Sequence, residues 1–398
     1  MSEKTINKVP NVPNLRFNNE CWMLTSLGFS CDGFDYGIAA EAKEFDGINQ
    51  YIRITDIDDD SSSYTSRNSV SPSFLDENCV CIENDILFAR TGASTGKTYL
   101  YNRNDGKLYF AGFLIRANVK PIFDSYFVFT MTKTSRYANW IKIMSARSGQ
   151  PGINAQEYKT FSFYHPSLKT QNKISKFIKN IDKRIQTQSK IIEDLKLLKF
   201  RLIDSLIGEN IPNCIFENLY NFASEGGTPS TSKMQYYENG TIPFVKIDDL
   251  KEKYLQENRD YITEDGLSNS SAWLIPTNSI IYSNGATIGK LSINTYPIAT
   301  KQGILGIIPS KLVIPEYMYY FMQSKYFRKE VHKITVKGTM DCAYLKDLSK
   351  IKCYIPSIKE QEKDIAILNC LDEKIKIEYI LIKKYKEQKK FLLSNMFI

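Results

Sequence analysis

Pro166-Ser167-Leu168-Lys169-Thr170-Gln171 returns as Pro356-Ser357-Ile358-Lys359-Glu360-Gln361, 190 residues further along the chain. Each phrase opens a run of about 40 residues with no Gly or Pro in its body, dense in Lys, Ile and Leu. In the first run Ile174, Ile178, Ile181, Ile185, Ile192, Leu195, Leu198 and Leu202 fall at steps of 3, 4 or 7. In the second, Ile365, Leu368, Leu371, Ile375, Tyr379, Ile382, Tyr385 and Leu392 do the same. That is the stripe of a long amphipathic helix with a coiled-coil-like seam. At 1.5 Å of rise per residue each helix spans roughly 60 Å, longer than an ordinary domain helix. Pro disfavours helix in the residue before it and Ser is a good N-cap, so Pro-Ser marks the start. Glu360 completes a capping box with Ser357; the first copy has Thr170 there. Gly208 is a natural stop for the first helix.

The repetition extends beyond the helices. Phe244–Leu250 matches Tyr51–Ile57, Asn278–Ile281 matches Asp85–Phe88, and Gly285-Ala286-Thr287-Ile288-Gly289-Lys290 matches Gly92-Ala93-Ser94-Thr95-Gly96-Lys97, all offset by 193. One offset held across three separated motifs indicates an internal duplication. The expected fold is α+β: a β-rich domain over residues 1–165, a helix over 166–210, a second such domain over 211–355 and a second helix over 356–398. The helices are expected to pack antiparallel, with Ile174, Ile181, Leu195 and Leu202 facing Leu368, Ile375, Ile382 and Leu392. Within the first domain, strands are expected over Gln50–Ile57, Asp85–Ala89 and Tyr109–Asn118, and a helix over Asp124–Met144. Ser61–Ser73 reads as an exposed loop. The Pro-punctuated arm from Val9 is expected to run extended until Phe17 and Trp22 dock.

Composition narrows the function. The 398 residues carry a net charge of +8, which suits a polyanionic partner, and the first long helix is especially rich in Lys and Arg. Eight cysteines form no C-x-x-C pair and read as reduced thiols of a cytoplasmic protein. With two histidines, His165 and His332, and no nearby cysteine pair, no zinc site is expected. No apolar h-region or 18-residue apolar run is present, so neither a signal peptide nor a membrane span is expected.

Gly92–Thr98 nearly spells a phosphate-binding loop, but has three residues between its glycines instead of four, and its second copy ends Gly289-Lys290-Leu291. A tight turn between strands explains it better. Asp248-Asp249 ends a strand, yet the first copy lacks a lysine to match Lys251, so a metal-dependent nuclease is poorly supported. No catalytic residue and no metal ligand is assigned. What remains is polar turn chemistry repeated in both copies. Arg90, Thr91, Ser94, Thr95 and Lys97 correspond in this alignment to Ser283, Asn284, Thr287, Ile288 and Lys290. Ser145–Gln150, with Arg147 and Gln150, matches Lys333–Thr339, with Lys337. With Arg53, Lys246, Thr228, Ser230 and Thr231, these types suit phosphate contacts and base-edge reading in duplex DNA.

In this order and doubled, the motifs resemble the specificity subunit of type I restriction–modification systems along essentially the whole chain. Val12–Phe17 with Trp22 is similar to that family's amino-terminal signature. Gly226-Gly227-Thr228-Pro229-Ser230 followed by Ile242–Leu250 is similar to the start of many of its target-recognition domains, and Leu392–Phe397 to its ending. The resemblance implies two target-recognition domains, each reading half of a split, asymmetric DNA site, with a helical spacer setting the gap. It implies no chemistry in this chain. Two methyltransferase subunits using S-adenosylmethionine, and restriction subunits using ATP and Mg, are the implied partners. The first domain lacks Gly-Gly-Thr-Pro-Ser, with Asp35–Ile38 at the corresponding entry, so the two half-sites are expected to differ. Two other readings compete: a self-contained nuclease or NTPase using Asp248, Asp249 or Lys97, and a coiled-coil adaptor that does not touch DNA.

Overall fold

The computed structural model describes residues 21–146, 151–208, 211–285, 287–335 and 341–395. The arm through Phe17 and the candidates Arg147, Gln150 and Lys337 lie outside them. The chain divides into two compact units, Met1–Ser189 with Ile380–Ile398 and Lys190–Tyr379. Each holds one copy of the β-rich domain and a part of each long helix.

In the first unit an antiparallel sheet runs β1 (Cys31–Tyr36), β4 (Leu114–Val119), β2 (Asp85–Ala89), β3 (Thr98–Leu100). Every residue of β2 is buried. Its alternating side chains serve two cores, as a strand covered on both faces requires. Ile86 and Phe88 join Trp22, Phe127, Met131 and Phe161 under helices α1 (Ser125–Met131) and α2 (Ser135–Ser145). Leu87 and Ala89 join Tyr51, Ile52, Tyr109 and Phe110 on the other side, where Asn49–Ile52 pairs in parallel with Lys107–Phe110.

Several expected elements are divided. The run Tyr109–Asn118 is two strands, because the chain turns at Ala111–Phe113 and leaves one sheet for the other. The helix expected over Asp124–Met144 breaks at Thr132–Thr134. There Thr132 and Thr134 donate their hydroxyls to the carbonyls of Phe129 and Met131, and Thr134 then caps α2 by accepting from Tyr137 N. The strand from Asn49 stops at Ile52, since Asp56 turns back to accept from Arg53 N and closes a 3-10 turn. Ser61–Ser73 is not wholly exposed: Tyr64 and Ser71 are buried and Val70–Pro72 pairs with Ala42–Glu44.

The second unit repeats the plan. Its sheet runs β5 (Tyr220–Glu225), β8 (Ile304–Pro309), β6 (Ile280–Ser283), β7 (Leu291–Asn294), with Tyr254–Leu255 added beside β7. Ile242–Val245 pairs in parallel with Ala299–Thr300, and helices α4 (Pro315–Phe321) and α5 (Lys325–Ile334) cover the first face. The register corrects the gapless alignment. Ala89 lies opposite Leu114 and Ser283 opposite Ile304, so Ser283 is the counterpart of Ala89 and Asn284 that of Arg90. The glycine turn of the second copy is one residue shorter.

In both units the first and last strands of the domain pair, Met23–Ser26 with Ser162–His165 and Cys214–Ile215 with Lys352–Cys353. The long helices, α3 (Leu168–Ile203, drawn out by a π-turn to Gly208) and α6 (Ile358–Asn395), start beside these pairs. The repeated glutamine explains why the Pro-Ser phrase recurs. Buried Gln171 accepts from Asp124 N at 3.0 Å and donates to Pro166 O at 3.0 Å. Buried Gln361 accepts from Ile314 N at 2.8 Å and donates to Pro356 O at 3.0 Å. Each glutamine ties the start of its long helix to the start of the helix that follows the sheet. Glu360 reaches back to Ser357 N at 2.9 Å, as a capping box predicts.

Of the residues expected in the seam, Ile174, Ile181, Leu368, Ile375 and Leu392 are buried, while Leu195, Leu202 and Ile382 are half-buried. Leu198 and Tyr379, expected in the stripe, are exposed; Ile203 and Ile207 are buried instead. In the second unit Lys196 lies over the Tyr379 ring and Lys199 pairs with Asp372 at 2.5 Å, so the helices there run antiparallel. In the first unit Asp182 pairs with Lys389 at 2.5 Å, and Ile174, Ile178 and Ile181 share a core with Leu392 and Leu393. All eight cysteines are free, and no described helix is long and apolar enough to cross a membrane.

Candidate nucleic-acid interface

One end of each main sheet carries several of the residues that the sequence singled out. In the first unit β1 finishes at Tyr36, β2 leads into Arg90 and the glycine turn, and Gly112-Phe113 precedes β4. Gly37 sits so close to the next layer that a Cβ there would lie 2.2 Å from Phe110 O. Gly226 is its counterpart, with a Cβ 2.2 Å from Thr300 O. Tyr36-Gly37 and Glu225-Gly226 are therefore the same joint, although only the second copy spells Gly-Gly-Thr-Pro-Ser.

The glycine turn is a strand-to-strand connection. Gly96 N donates to Ala89 O at 2.9 Å and Ala89 N to Lys97 O at 2.8 Å, and β3 follows directly. Gly92 and Gly96 have φ of 75° and 91°, a conformation that other residues rarely adopt. A phosphate-binding loop needs a helix N-terminus at this point, and a strand stands there instead. In the second copy Ser283 is buried with both hydrogen-bonding capacities used: its Oγ donates to Thr287 O at 2.5 Å and accepts from Lys290 N at 2.9 Å. Asn284 is also buried, with Nδ2 toward Ala343 O at 3.4 Å and Oδ1 without a partner among the described residues.

Both copies join this turn to the stretch that follows the second matched region. Gly92 N donates to Pro151 O at 3.0 Å and Ile153 N to Arg90 O at 2.9 Å. In the other unit Gly285 bridges Cys342, and Ala343 N donates to Asn284 O at 2.8 Å. The glycine turn thus meets residues 151–153 in one unit and 342–343 in the other.

Charges there are mostly answered. Arg53 forks onto Asp56, with both nitrogen–oxygen distances 2.9 Å, and Lys97 pairs with Asp59 at 2.7 Å. Lys246 pairs with Asp260 at 2.9 Å and Lys290 with Asp248 at 3.7 Å. Asp249 closes its own turn by accepting from Lys246 N, the role Asp56 has in the first copy, so it reads as a structural acid. Arg90 differs. Its guanidinium lies 4.9 Å from the Tyr36 ring centroid and Nε donates to Gly112 O at 3.1 Å, with no carboxylate partner among the described residues. Thr95 is turned inward onto Gly92 O at 2.7 Å; Thr91 and Ser94 are half-buried. Thr228 accepts weakly from Gln302 N, Ser230 faces Ser232, and Thr231 and Thr287 are exposed.

Sequence reasoning missed Tyr36, Phe113, Glu225, Lys301 and Gln302. Tyr36 and Phe113 are 45% and 60% exposed, and Lys301 and Gln302 stand on the counterpart of the Ala111–Phe113 turn. Glu225 accepts from Gly303 N at 2.8 Å. Their position immediately before the two close-packed glycines, or on the turn against them, was the available signal.

Away from this end each domain inserts a lysine toward the long helices. Lys133 donates to Ser62 Oγ at 2.8 Å and Thr98 Oγ1 at 2.6 Å, and burial pushes its ammonium down to about 7. Lys253 donates to Asn369 Oδ1 at 2.5 Å and Tyr320 Oη at 3.1 Å, and burial pushes it down to about 8. Among the described residues no group of three or more His, Cys, Asp or Glu could hold a metal ion. The described surface can offer hydrogen bonds and charge to a large ligand.

A family model for type I restriction modification DNA specificity domains matches residues 37–197 and 215–386. The chain is 30% identical over 153 residues to the EcoR124I/EcoR124II specificity subunit of Escherichia coli, 37% of each chain. It is 30% identical over 170 residues to the MjaIX specificity subunit of Methanocaldococcus jannaschii, 42% of this chain and 38% of that one. The match thus spans well under half the length of these two relatives. The MjaVIII specificity subunit of M. jannaschii is 24% identical over 337 residues, 77% of this chain and 75% of that one. Among solved structures, the S subunit of a type I restriction-modification system from M. genitalium superposes with a TM-score of 0.56 at 17% identity, covering 97% of this chain and 99% of that one. A chain from a type I R-M system assembly gives 0.60 at 15% identity, covering 94% and 97%. These two likenesses are of fold.

Proposed function

The chain belongs to the type I restriction–modification DNA specificity family, and from that premise we propose that it is the non-catalytic subunit that reads DNA sequence for such a complex. The observation that carries this is the doubled sheet end, one scaffold presented twice with different polar residues on it. Each unit reads one half of a two-part, asymmetric site in duplex DNA, and α3 with α6 forms the spacer. Loop side chains with Arg, Asn, Thr and Lys supply the phosphate and base-edge contacts that such reading needs. Methylation and cleavage belong to the partners: two methyltransferase subunits with S-adenosylmethionine, and restriction subunits with ATP and Mg. The strand-to-strand glycine turn and the internally paired Asp248, Asp249 and Lys97 speak against a self-contained NTPase or nuclease.

The test is co-expression with the methyltransferase subunit in an otherwise unmethylated host, followed by single-molecule methylation mapping. The expected result is one two-part motif, whose halves change separately when residues 1–165 or 211–355 are exchanged for those of a relative. Failure of the two proteins to co-purify, or methylation at an undivided motif, would overturn the reading. Purified chain is expected to bind duplex DNA with an affinity that falls steeply with salt.

A further inference from the structure

We propose that Arg90, laid against Tyr36, reads a guanine in the half-site of the first unit. The inference rests on the two-headed reading above and assigns one base to one side chain. Three observations carry it. Arg90 stands at the end of β2, on the surface where the glycine turn meets residues 151–153. Its guanidinium is fixed in two ways, by the Tyr36 face at 4.9 Å and by the Nε hydrogen bond to Gly112 O at 3.1 Å. Tyr36 is itself held, its Oη accepting from Ala155 N at 3.2 Å. Finally, among the described residues Arg90 has no carboxylate partner, whereas Arg53 and Lys97 are each joined to one.

The chemistry follows from the geometry. With Nε engaged, Nη1 and Nη2 have no acceptor among the described residues and form a planar two-donor fork. The matching partner in the major groove is the O6 and N7 edge of guanine. A side chain already held in place loses little rotamer freedom on binding, so more of the contact energy appears as discrimination. A phosphate contact would need only the charge, which lysine also carries. In the second unit the counterparts are Asn284, buried, and Glu225 in the place of Tyr36. That unit has no such fork.

The test uses the full chain in complex with its methyltransferase, with methylation mapped for wild type, Arg90→Lys, Arg90→Ala and Tyr36→Leu. Arg90→Lys and Arg90→Ala are expected to make one guanine position of one half-site degenerate, with discrimination there falling roughly 10- to 100-fold. The other half-site, an internal control for folding and assembly, is expected to stay unchanged. Tyr36→Leu should relax the same position less. If Arg90→Lys leaves both half-sites as they were, Arg90 is at most a phosphate contact and the proposal fails. It fails equally if the complex assembles with Arg90→Lys yet loses methylation evenly across all sites, or if neither half-site of the wild type contains a fixed guanine. Absence of any two-part motif in the wild type would instead overturn the functional reading itself.

Discussion

The two units share a backbone plan and differ at one end of it. Strand order, the parallel pair behind the sheet, the close-packed glycine and the glutamine clamp recur in both. Tyr36 and Arg90 in one unit become Glu225 and Asn284 in the other, and the turn beside them loses a residue. Duplication has held fixed the contacts that a fold needs and let the rim vary. The proposed reading of an asymmetric site calls for that division, since two identical rims would read one sequence twice.

The largest test of the shared plan is the glycine joint. Gly37→Ala and Gly226→Ala each place a methyl 2.2 Å from a backbone carbonyl oxygen that belongs to the strand layer behind. Each is expected to cost about 3 kcal/mol, the upper end for overpacking against groups that cannot move aside. Urea unfolding of the full chain, followed by a probe in each unit, should show one unit weakened per substitution. Unequal losses would mean that the joints are not equivalent.

The glutamine clamps come next. Gln171→Ala or Gln361→Ala leaves a buried amide and a carbonyl without their partner at a helix start, at about 2 kcal/mol each. The expected outcome is again symmetric in denaturation midpoint. A loss confined to one unit would show that the other has a second way to hold its helix.

The lysines break the symmetry. Lys133 comes from the helix break in the first unit, and Lys253 from the loop before Tyr254–Leu255 in the second. Both titrate below the ordinary lysine value when folded, so the unfolded chain binds the extra proton between the two values. Stability therefore rises with pH, from about 7 toward 10.5 for Lys133 and from about 8 toward 10.5 for Lys253. The slope is at most about 1.4 kcal/mol per pH unit for Lys133 and less for Lys253, which is nearer solvent. Lys133→Met should flatten the rise in the first unit alone, measured as the urea midpoint between pH 7 and pH 9.5. An unchanged slope would show that Lys133 remains charged in its niche.

How far these features could be read from sequence depends on whether they are local. The helix entries were legible because Pro-Ser and the 3–4 spacing act within one turn, and the duplication because it repeats words. The shift between β2 and β6 was hidden by Gly-x-x-x-Gly-Lys, which pins the alignment at the far side of the turn while the strand slips by one. Of the expected stripe, Ile174 and Leu368 are buried, whereas Leu198 and Tyr379 are exposed. Spacing states which residues share a face, and cannot state which neighbours cover it. Tyr36 and Arg90 are 54 positions apart in sequence, and only the sheet brings ring and guanidinium together.

The smallest effect concerns the polar position at which the two helix phrases differ, Thr170 against Glu360. Glu360 is exposed and accepts from Ser357 N at 2.9 Å and from Ser357 Oγ at 2.7 Å, so Glu360→Ala removes both hydrogen bonds at the helix start and is expected to lower the denaturation midpoint slightly. Copying the acid into the first unit should not return that gain, because Thr170 is only 2% exposed. A carboxylate there would be forced out of water beside Gln171, and Thr170→Glu is expected to destabilise the first unit where sequence matching alone would have it stabilise. Thermal or urea denaturation decides the sign. A stabilised Thr170→Glu would mean that the two helix starts are interchangeable, and that the difference between the units is confined to their reading ends.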